Sequence, residues 1–329
     1  MKPLAPLFLL LLFIWPAAAQ NVPAEPVPQP PASSADEVTV TGARERAIAK
    51  FVETRAAATR FAGKIARWQA RICPKVYGIP DNYAKFVTDK VKDVAKEAGA
   101  KTNVDPACKI NIQILFTTSP QALMDNIRKE HPTYLGYHDN SSQAEQMTQL
   151  KRPVHAFYTT QTADYRGQRQ IDTRKPRDTT VTLPGMAIEL PGAGVISAPM
   201  TTMNMSGAST VSVSGTRFLG DGIQAEFNHI IIVVDTTKVA ELEMGTLGDY
   251  IAMLALSQPE RFDACQDLAS ITNLMITPAC APANTVAAIS PHDLSYLQGL
   301  YKMNIAGSLN VQKSQITHQM KQAAEGDAP

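Results

Sequence analysis

Hydrophobic and polar positions follow two different periods along this chain, and each period predicts one type of element. Residues 230–234 form the branched apolar run Ile-Ile-Ile-Val-Val, which predicts a strand covered on both faces of a sheet. Over residues 246–257 the apolar positions recur every three to four residues instead, which predicts a helix with one buried stripe. A buried strand that leads into a buried helix is therefore the predicted centre of the fold.

The same two periods predict elements on both sides of this centre. Residues Ile110, Ile112, Ile114 and Phe116 alternate with other residues and predict a strand with one buried face. Helices are predicted over residues 44–72, 81–97, 120–129, 268–275, 291–301 and 311–323, and short strands over residues 37–42, 76–77, 154–160 and 210–215. The predicted fold class is α+β, with a central mixed β-sheet flanked by helices and a helical C-terminal part.

The beginning of the chain has the composition of a targeting segment. Residues 1–19 hold one charged residue, Lys2, followed by an apolar run and small residues up to Ala19. This pattern predicts a signal peptide that is cleaved after Ala19, and hence a periplasmic or secreted product. Because no later apolar run is long enough to cross a bilayer, no transmembrane span is predicted after cleavage.

The remaining sequence divides by composition. Residues 20–43 are rich in proline and predict an extended tether that ends in a short strand. Residues 44–323 predict a single α+β domain, and residues 324–329 a polar tail. Within the domain, residues 131–150 predict a polar loop, and residues 161–209, which are rich in Pro, Gly, Met and Ser, predict a long loop excursion.

Four cysteines follow the predicted cleavage site, and an even number in an oxidising compartment predicts two disulfides. Three pairings are possible. We favour Cys73 with Cys108 and Cys265 with Cys280, because each pair brackets one predicted helical unit. Neither pair has the C-x-x-C spacing that is typical of a zinc site.

Charge is distributed unevenly although the formal net charge is only +1. Residues 44–109 hold 15 Lys/Arg against 7 Asp/Glu, and residues 220–329 hold 5 against 12. One interpretation is that the two ends pack together or display solvated faces. The other is that a basic helix over residues 44–72 contacts an anionic envelope surface.

Few groups near the predicted centre could carry chemistry. Asp249 is the single carboxylate of the central helix, and Glu226 and His229 lie at the start of the central strand. Strict alternation would place Phe227 with His229 on one face and Glu226 with Asn228 on the other. Asp249, Glu226 and His229 are weak candidates for a hydrolase, but they do not form a recognisable catalytic set.

Other motifs of chemistry are incomplete. Ser214 lacks the first glycine of the G-x-S-x-G turn on which a nucleophilic serine is typically placed. His131 and His138 with Asp139 could ligate a metal, but their spacing is not that of one helix face. Soft copper(I) ligands are conceivable in a methionine group, although flexible apolar packing is the commoner role. This group comprises Met200, Met203 and Met205. We therefore predict no cofactor and no metal.

The sequences GTLGDYIAMLALSQ and SPHDLSYLQGLYKM resemble two helices of the matrixin-like zinc metallopeptidases. In that family the first helix carries two zinc-binding histidines one turn apart and a glutamate base. Here Gly248 and Ala252 occupy the histidine positions and Asp249 the glutamate position. The resemblance implies a zincin-like fold whose active site has lapsed, a pseudoenzyme, because these side chains cannot hold zinc or activate a water.

The mature chain is also similar to a family of uncharacterised secreted bacterial proteins. The shared features are the signal peptide, the Pro-rich tether, Cys108 with Asn111, the Phe116-Thr117 turn that ends at Pro120, and the helix over residues 249–256. This resemblance implies an exported protein and brings no activity with it.

These features favour an exported protein that binds or scaffolds in the cell envelope without catalysis of its own. Its partner would be an envelope protein or an anionic surface and not a nucleic acid. The contact would be made by residues 161–209 or by the strand over residues 37–42. Two alternatives remain, a peptidase-like hydrolase that uses Asp249 with His229, and attachment to the envelope surface through the basic helix 44–72.

Overall fold

The structure is a computed structural model that describes residues 34–105, 107–164, 166–172 and 222–326, together with the backbone of four strands between residues 178 and 206. The chain divides into two compact units, residues 1–41 and residues 42–329. The predicted signal peptide, most of the predicted tether and the predicted strand at residues 210–215 lie outside the described residues. The predicted domain boundary at residue 44 stays a prediction.

Strands and helices occur in both halves of the chain. The strands are β1 (Pro74–Tyr77), β2 (Ile112–Thr117), β3 (Val154–Ala163), β4 (Arg169–Ile171), β5 (Asp178–Leu183), β6 (Ala187–Leu190), β7 (Gly194–Ser197), β8 (Thr201–Ser206) and β9 (Gln224–Asp235). The helices are α1 (Ser34–Arg55), α2 (Asp81–Ala98), α3 (Pro120–Glu130), α4 (Ser141–Met147), α5 (Met244–Leu256), α6 (Pro291–Lys302) and α7 (Leu309–Gly326), and short 3-10 turns lie at Pro132–Leu135, Ile271–Asn273 and Pro282–Asn284.

A mixed sheet of five strands forms the centre of the fold, with the order β1-β2-β9-β3-β4. Strands β1, β2 and β9 are parallel, whereas β3 is antiparallel to both β9 and β4. Helix α2 makes the crossover from β1 to β2, as parallel neighbours require. The predicted α+β fold with a central mixed sheet is therefore confirmed.

Hydrophobic side chains pack on both faces of this sheet. Helices α1, α2, α5, α6 and α7 cover one face and form the main core with Ile112, Ile230 and Ile232. Helices α3 and α4 cover the other face, where a smaller cluster contains Ile231 and Val233. The branched run of β9 is thus buried from both sides, which explains why its sequence shows no alternation.

The predicted basic helix over residues 44–72 is wrong beyond Arg55, where α1 ends. The residues that follow are held by distant parts of the chain: Ala57 N donates to Gln258 O at 3.1 Å, and Ile72 N to Lys101 O at 2.9 Å. Apolar side chains here are buried without helical geometry. The spacing of apolar residues beyond Arg55 therefore reflects burial against distant segments, and it resembles a helical period without a helix.

The basic residues of this segment make contacts within the protein. Lys64 is buried and its Nζ donates to the carbonyl oxygens of Ile223 at 2.8 Å and Ala306 at 2.7 Å. Basic residues of the first third also form ion pairs with acidic residues of the last third, namely Lys50 with Asp267 and Lys90 with Asp249. These contacts favour the interpretation that the two oppositely charged ends pack together.

Three further predictions of local structure are corrected. Residues 37–42 lie in helix α1 rather than in a strand, because Val and Thr have helix propensities only slightly below average and a short alternation does not prevent a helix. The predicted loop over residues 131–150 contains α4, whose N-cap Asn140 accepts a hydrogen bond from Gln143 N. The predicted helix over residues 268–275 is only a 3-10 turn, where Ser270 accepts from Thr272 N and competes with helical bonding.

The predicted loop excursion over residues 161–209 contains regular structure. Strand β3 extends to Ala163, and β4 pairs with its last residues. Strand β5 pairs with β8, and β6 pairs with β7, and both pairs are antiparallel. The two pairs share one register, as the two arms of a single long hairpin do. These strands could not be predicted from the sequence, because prolines and glycines between the paired stretches interrupt the alternation of apolar and polar residues.

Candidate functional site

The two carboxylates named from the sequence lie in separate surroundings. Oδ1 of Asp249 is 3.1 Å from Nζ of Lys90 on α2, and the Asp249 side chain is only 5% exposed. Glu226 is buried at the start of β9 and accepts hydrogen bonds from Gln161 Nε2 at 2.7 Å and from Arg169 Nε at 2.9 Å. Each carboxylate is thus engaged with its own partners.

His229 lies on a different face of the sheet from the main core. Its ring contacts that of Tyr134, with 5.0 Å between the centroids, and its Nε2 is buried without a hydrogen-bond partner within the described residues. Burial lowers the pKa of His229, so the imidazole is neutral near pH 7. Nε2 of His229 therefore makes no hydrogen bond to the carboxylate of Asp249 or of Glu226.

A register shift explains the position of His229. Thr159 of β3 pairs with His229 and Thr160 pairs with Phe227, which leaves Asn228 unpaired as in a β-bulge. The extra residue reverses the alternation of side chains along β9. The prediction that Phe227 and His229 share a face is therefore wrong, since Phe227 lies in the main core.

The positions at which zincins carry their zinc ligands are packed into the core. Gly248, Asp249 and Ala252 are all buried in α5. A Cβ added to Gly248 would lie 3.1 Å from Cγ of Lys90, so this turn of α5 fits closely against α2. Within the described residues, no group of three or more His, Cys, Asp or Glu side chains is placed to hold a metal ion.

The other candidate ligands are dispersed. The His131 ring contacts Tyr134, His138 Nδ1 donates to Gly136 O at 2.9 Å, and Asp139 forms an ion pair with Arg60 at 2.8 Å. Met200 and Ser214 lie outside the described residues, as do the side chains of Met203 and Met205.

Two disulfides link the cysteine pairs that the sequence favoured. Cys73 is bonded to Cys108 with 6.1 Å between the Cα atoms, and Cys265 to Cys280 with 5.5 Å. Such bonds persist in oxidising compartments outside the cytosol. The second disulfide closes the loop that contains the 3-10 turn at Ile271–Asn273.

Asp293, in the first turn of α6, organises a buried polar cluster. It accepts hydrogen bonds from Ser270 Oγ at 2.6 Å, Ile271 N at 2.8 Å and Ser290 Oγ at 2.9 Å. Burial raises its pKa, while these hydrogen bonds act in the opposite direction. Because Asp293 has no exposed surface, the cluster fixes the disulfide loop to α6 and is closed to a ligand.

A cleft adjoins strand β3. It consists of two cavities of about 310 Å³ and 550 Å³ that share the lining residues Met147, Arg152, His155 and Phe262. We name these two cavities together the β3 cleft. Their combined size is in the range of small-ligand and peptide sites.

Two residues that line the smaller cavity of the β3 cleft carry buried polar atoms that lack hydrogen-bond partners among the described residues. Thr59, which follows α1, is 4% exposed, and Gln258 follows α5. Oγ1 of Thr59 and Oε1 of Gln258 are buried and make no hydrogen bond within the described part of the chain. A buried polar atom left unpaired costs about 1–3 kcal/mol, so a ligand that supplied partners would recover this energy.

The backbone of β3 contributes further polar groups. Asp235 N donates to Pro153 O at 2.9 Å. In an antiparallel pair the hydrogen-bonded residues alternate along the strand, so His155 and Phe157 are also hydrogen-bonded to β9. Val154 and Ala156 between them direct their N–H and C=O groups away from β9. In the described sheet no strand pairs with β3 on that side before Gln161, where β4 begins.

Gly136 limits the open part of this edge. A Cβ at Gly136 would lie 2.2 Å from the Tyr158 carbonyl oxygen, and φ of Gly136 is +84°, a conformation that favours glycine. The chain therefore crosses the edge of β3 at Tyr158. The hydroxyl group of Tyr158 donates to Leu254 O and Ser257 O, and burial raises its pKa, so it is not a proton donor for chemistry in the cleft.

Arg152 and His155 lie where the two cavities meet. Cζ of Arg152 is 4.1 Å from the centroid of the Phe262 ring. Nε2 of His155 accepts a hydrogen bond from Arg152 N at 2.8 Å. Burial, together with Arg152 and Lys238, lowers the pKa of His155 to about 4, so the imidazole is neutral near pH 7.

Sequence reasoning did not identify the β3 cleft, because its walls come from segments far apart in the chain. The only local signal was the run of residues 154–160, which reads as a strand. Among the described helices, none is long and apolar enough to cross a bilayer. Comparison of the chain with models of protein families, with curated proteins and with solved structures found no match, and both resemblances of the sequence stay predictions.

Proposed function

We propose that this is a binding protein of the cell envelope that holds a short extended peptide segment in the β3 cleft. The segment is the end or an exposed loop of a partner protein, or a free peptide. The observation that carries the proposal is the pair of unpartnered buried atoms, Thr59 Oγ1 and Gln258 Oε1, on two residues that line a cavity beside the open edge of β3. The two disulfides support a location outside the cytosol.

The proposed binding mode follows from the positions of the polar groups. An extended peptide that lies along Val154 and Ala156 would exchange backbone hydrogen bonds with them, as an added strand does. Gln258 and Thr59 would bond to polar groups on its other side. Because Gly136 crosses the edge at Tyr158, the paired stretch is only two or three residues long.

The residues that line the cleft favour binding of a peptide over its hydrolysis. The one imidazole that lines both cavities, His155, already accepts a hydrogen bond from Arg152 N through Nε2. The carboxylates of Glu226 and Asp249 are paired elsewhere with Arg169 and Lys90. The hydrolase alternative stays a prediction, and mass spectrometry of the peptides after incubation with the protein tests it directly.

A proline substitution tests the binding mode with little disturbance of the sheet. In Ala156→Pro the N–H that faces the cleft is lost, while the ladder between β3 and β9 keeps its hydrogen bonds. Ala156→Val keeps the N–H and is the matched control. We expect the wild-type protein to bind members of a tetrapeptide library in calorimetric titrations, and Ala156→Pro to bind them about tenfold more weakly than Ala156→Val.

Amide NMR spectra of the same samples locate the binding. The N–H signal of Ala156 should move when a bound peptide is added. Absence of tetrapeptide binding to the wild type, or peptide binding that Ala156→Pro leaves unchanged, would contradict the proposal. Cleavage of the peptides would replace it with the hydrolase alternative.

A further inference from the structure

Arg152 occupies the junction of the two cavities of the β3 cleft. The guanidinium group is stacked on the ring of Phe262, and the residue lines both cavities. Within the described residues, its guanidinium group has no hydrogen-bond acceptor, and the one hydrogen bond of Arg152 there is from its backbone N to His155. A half-buried arginine presents up to five N–H donors in a planar fork, which remain here for a ligand.

Charged groups of both signs lie around this guanidinium group. Lys151 lines the larger cavity beside it, and Lys238 is near enough to His155 to help lower the pKa of that imidazole. One carboxylate, that of Asp263, also lines the larger cavity and attracts Arg152 electrostatically, while its Oδ1 accepts a hydrogen bond from Arg261 Nε at 3.3 Å. Because Asp263 is hydrogen-bonded to Arg261 and not to Arg152, the guanidinium fork of Arg152 remains open to an anionic group of a ligand.

We propose that Arg152 binds a carboxylate of the peptide segment, and that the β3 cleft thereby selects peptides with a carboxylate beside their extended stretch. This inference rests on the proposed function and names its ligand class. A carboxylate has two oxygens at the spacing of the guanidinium fork, so the pair would be bidentate. Phe262 holds the guanidinium plane in position, which reduces the loss of side-chain freedom on binding. The carboxylate comes either from the C terminus of the peptide or from an Asp or Glu side chain.

The test uses the full-length protein and tetrapeptides found to bind the wild type. Each peptide is prepared with a free and with an amidated C terminus, and with Glu or with Gln at each position. We expect at least one of the two changes, amidation or Glu to Gln, to weaken binding to the wild type by about 10- to 100-fold. The change that has this effect identifies the source of the carboxylate.

Three variants separate the role of Arg152 from general effects of charge. Arg152→Gln should lose the preference for the carboxylate, so that it binds both members of a peptide pair about equally. Arg152→Lys keeps the charge without the fork and should keep part of the preference. Lys109→Gln removes an exposed charge at a residue that lines neither cavity, and it should change the affinity by no more than about threefold. Thermal unfolding of each variant verifies that it is folded.

The outcomes distinguish this inference from the proposed function. If peptides bind and neither carboxylate change matters, or if Arg152→Gln keeps the preference, the inference is overturned and the peptide-binding function stands. If the wild type binds none of the peptides, both are overturned. If Arg152→Gln does not fold, a preference in Arg152→Lys as large as in the wild type overturns the role of the fork.

Discussion

Nζ of Lys90 lies 3.1 Å from Oδ1 of Asp249, and this ion pair joins α2 to α5. The two partners differ in environment, since the Asp249 side chain is 5% exposed and that of Lys90 is 36% exposed. The buried carboxylate of Asp249 is therefore stabilised mainly by Lys90, whereas the ammonium group of Lys90 is also solvated. The residue that the sequence indicated for possible catalysis has a structural contact of its own.

Removal of the lysine should destabilise the protein because it leaves a buried charge unpaired. We expect Lys90→Met to lower the free energy of unfolding by about 1–3 kcal/mol. In the Asp249→Asn background the same substitution should cost less than about 1 kcal/mol, because no charge remains to be paired. Urea unfolding of the four proteins measures this cycle, and equal costs in the two backgrounds would contradict it.

Asp293 should make a large contribution to stability. It accepts hydrogen bonds from two serine side chains and a backbone N–H, and it completes the capping box of α6. We expect Asp293→Ala to lower the free energy of unfolding by about 2–4 kcal/mol. Ser295→Ala is the control and should cost about 1 kcal/mol or less, because the hydroxyl group of this buried serine of the same helix donates to His292 O and makes no other hydrogen bond to the described residues.

The titration of Asp293 also predicts how stability depends on pH. Burial raises its pKa above the ordinary value of 3.8, so the folded protein binds this proton more tightly than the unfolded chain does. The resulting stabilisation is complete below pH 3.8 and is lost as the pH rises through the raised pKa. Asp293→Asn lacks this titration. Between pH 4 and pH 7 the stability of the wild type should therefore fall relative to that of Asp293→Asn, as measured by urea unfolding.

His155 should give a pH dependence of the opposite sign. Its pKa is lowered from 6.5 to about 4, so the unfolded chain binds this proton more tightly than the folded protein. The contribution of the neutral imidazole to the free energy of unfolding is complete above pH 6.5 and is lost as the pH falls toward 4. Its total is on the order of 2–3 kcal/mol. His155→Gln, whose amide oxygen can still accept from Arg152 N, should lose stability less steeply over this range. NMR titration of the imidazole checks the pKa itself, and a value near 6.5 would refute this prediction.

The two disulfides should differ in their effect on the β3 cleft. The Cys265–Cys280 bond, with a sequence separation of 15, closes the loop that carries Met275, Ile276 and Thr277 in the wall of the larger cavity. Replacing both cysteines with serine should cost about 3 kcal/mol of stability and about tenfold in affinity for tetrapeptides.

The other disulfide is the matched control for this effect. Cys73 and Cys108, with a separation of 35, are not among the residues that line the cleft. Their replacement should cost about 3–4 kcal/mol of stability and leave the affinity within about twofold. Calorimetric titration at a temperature where all proteins are folded measures both, and an equal loss of affinity in the two variants would contradict the prediction.

Local patterns were sufficient where an element makes its own contacts. Strand β9 and helix α5 could be predicted because their burial produces a continuous apolar run and an apolar stripe. The capping box at Ser290 and Asp293 is likewise a local signal, and α6 begins there. The end of α1 could not be predicted, because residues beyond Arg55 are bonded to residues about 200 positions away, as Ala57 is to Gln258.

The β3 cleft was inaccessible to sequence reasoning for the same physical reason. Thr59, Arg152 and Gln258 meet only after folding, and each has an ordinary local context. A lack of hydrogen-bond partners, which distinguishes Thr59 and Gln258, is a property of the assembled structure. No pattern of residue types along the chain encodes it.

Asn228, which has no partner residue in the ladder with β3, determines which face of the sheet each side chain in the first part of β9 occupies. If Asn228 were instead paired in a regular ladder without the bulge, the strand's beginning would be rotated by half a turn about its own axis. Glu226 would then point toward the packed aromatic rings around Trp68, and Phe227 would be carried out to the opposite side. The bulge at one amide residue that carries neither charge nor ring thus keeps the acidic group and the aromatic one in their separate environments.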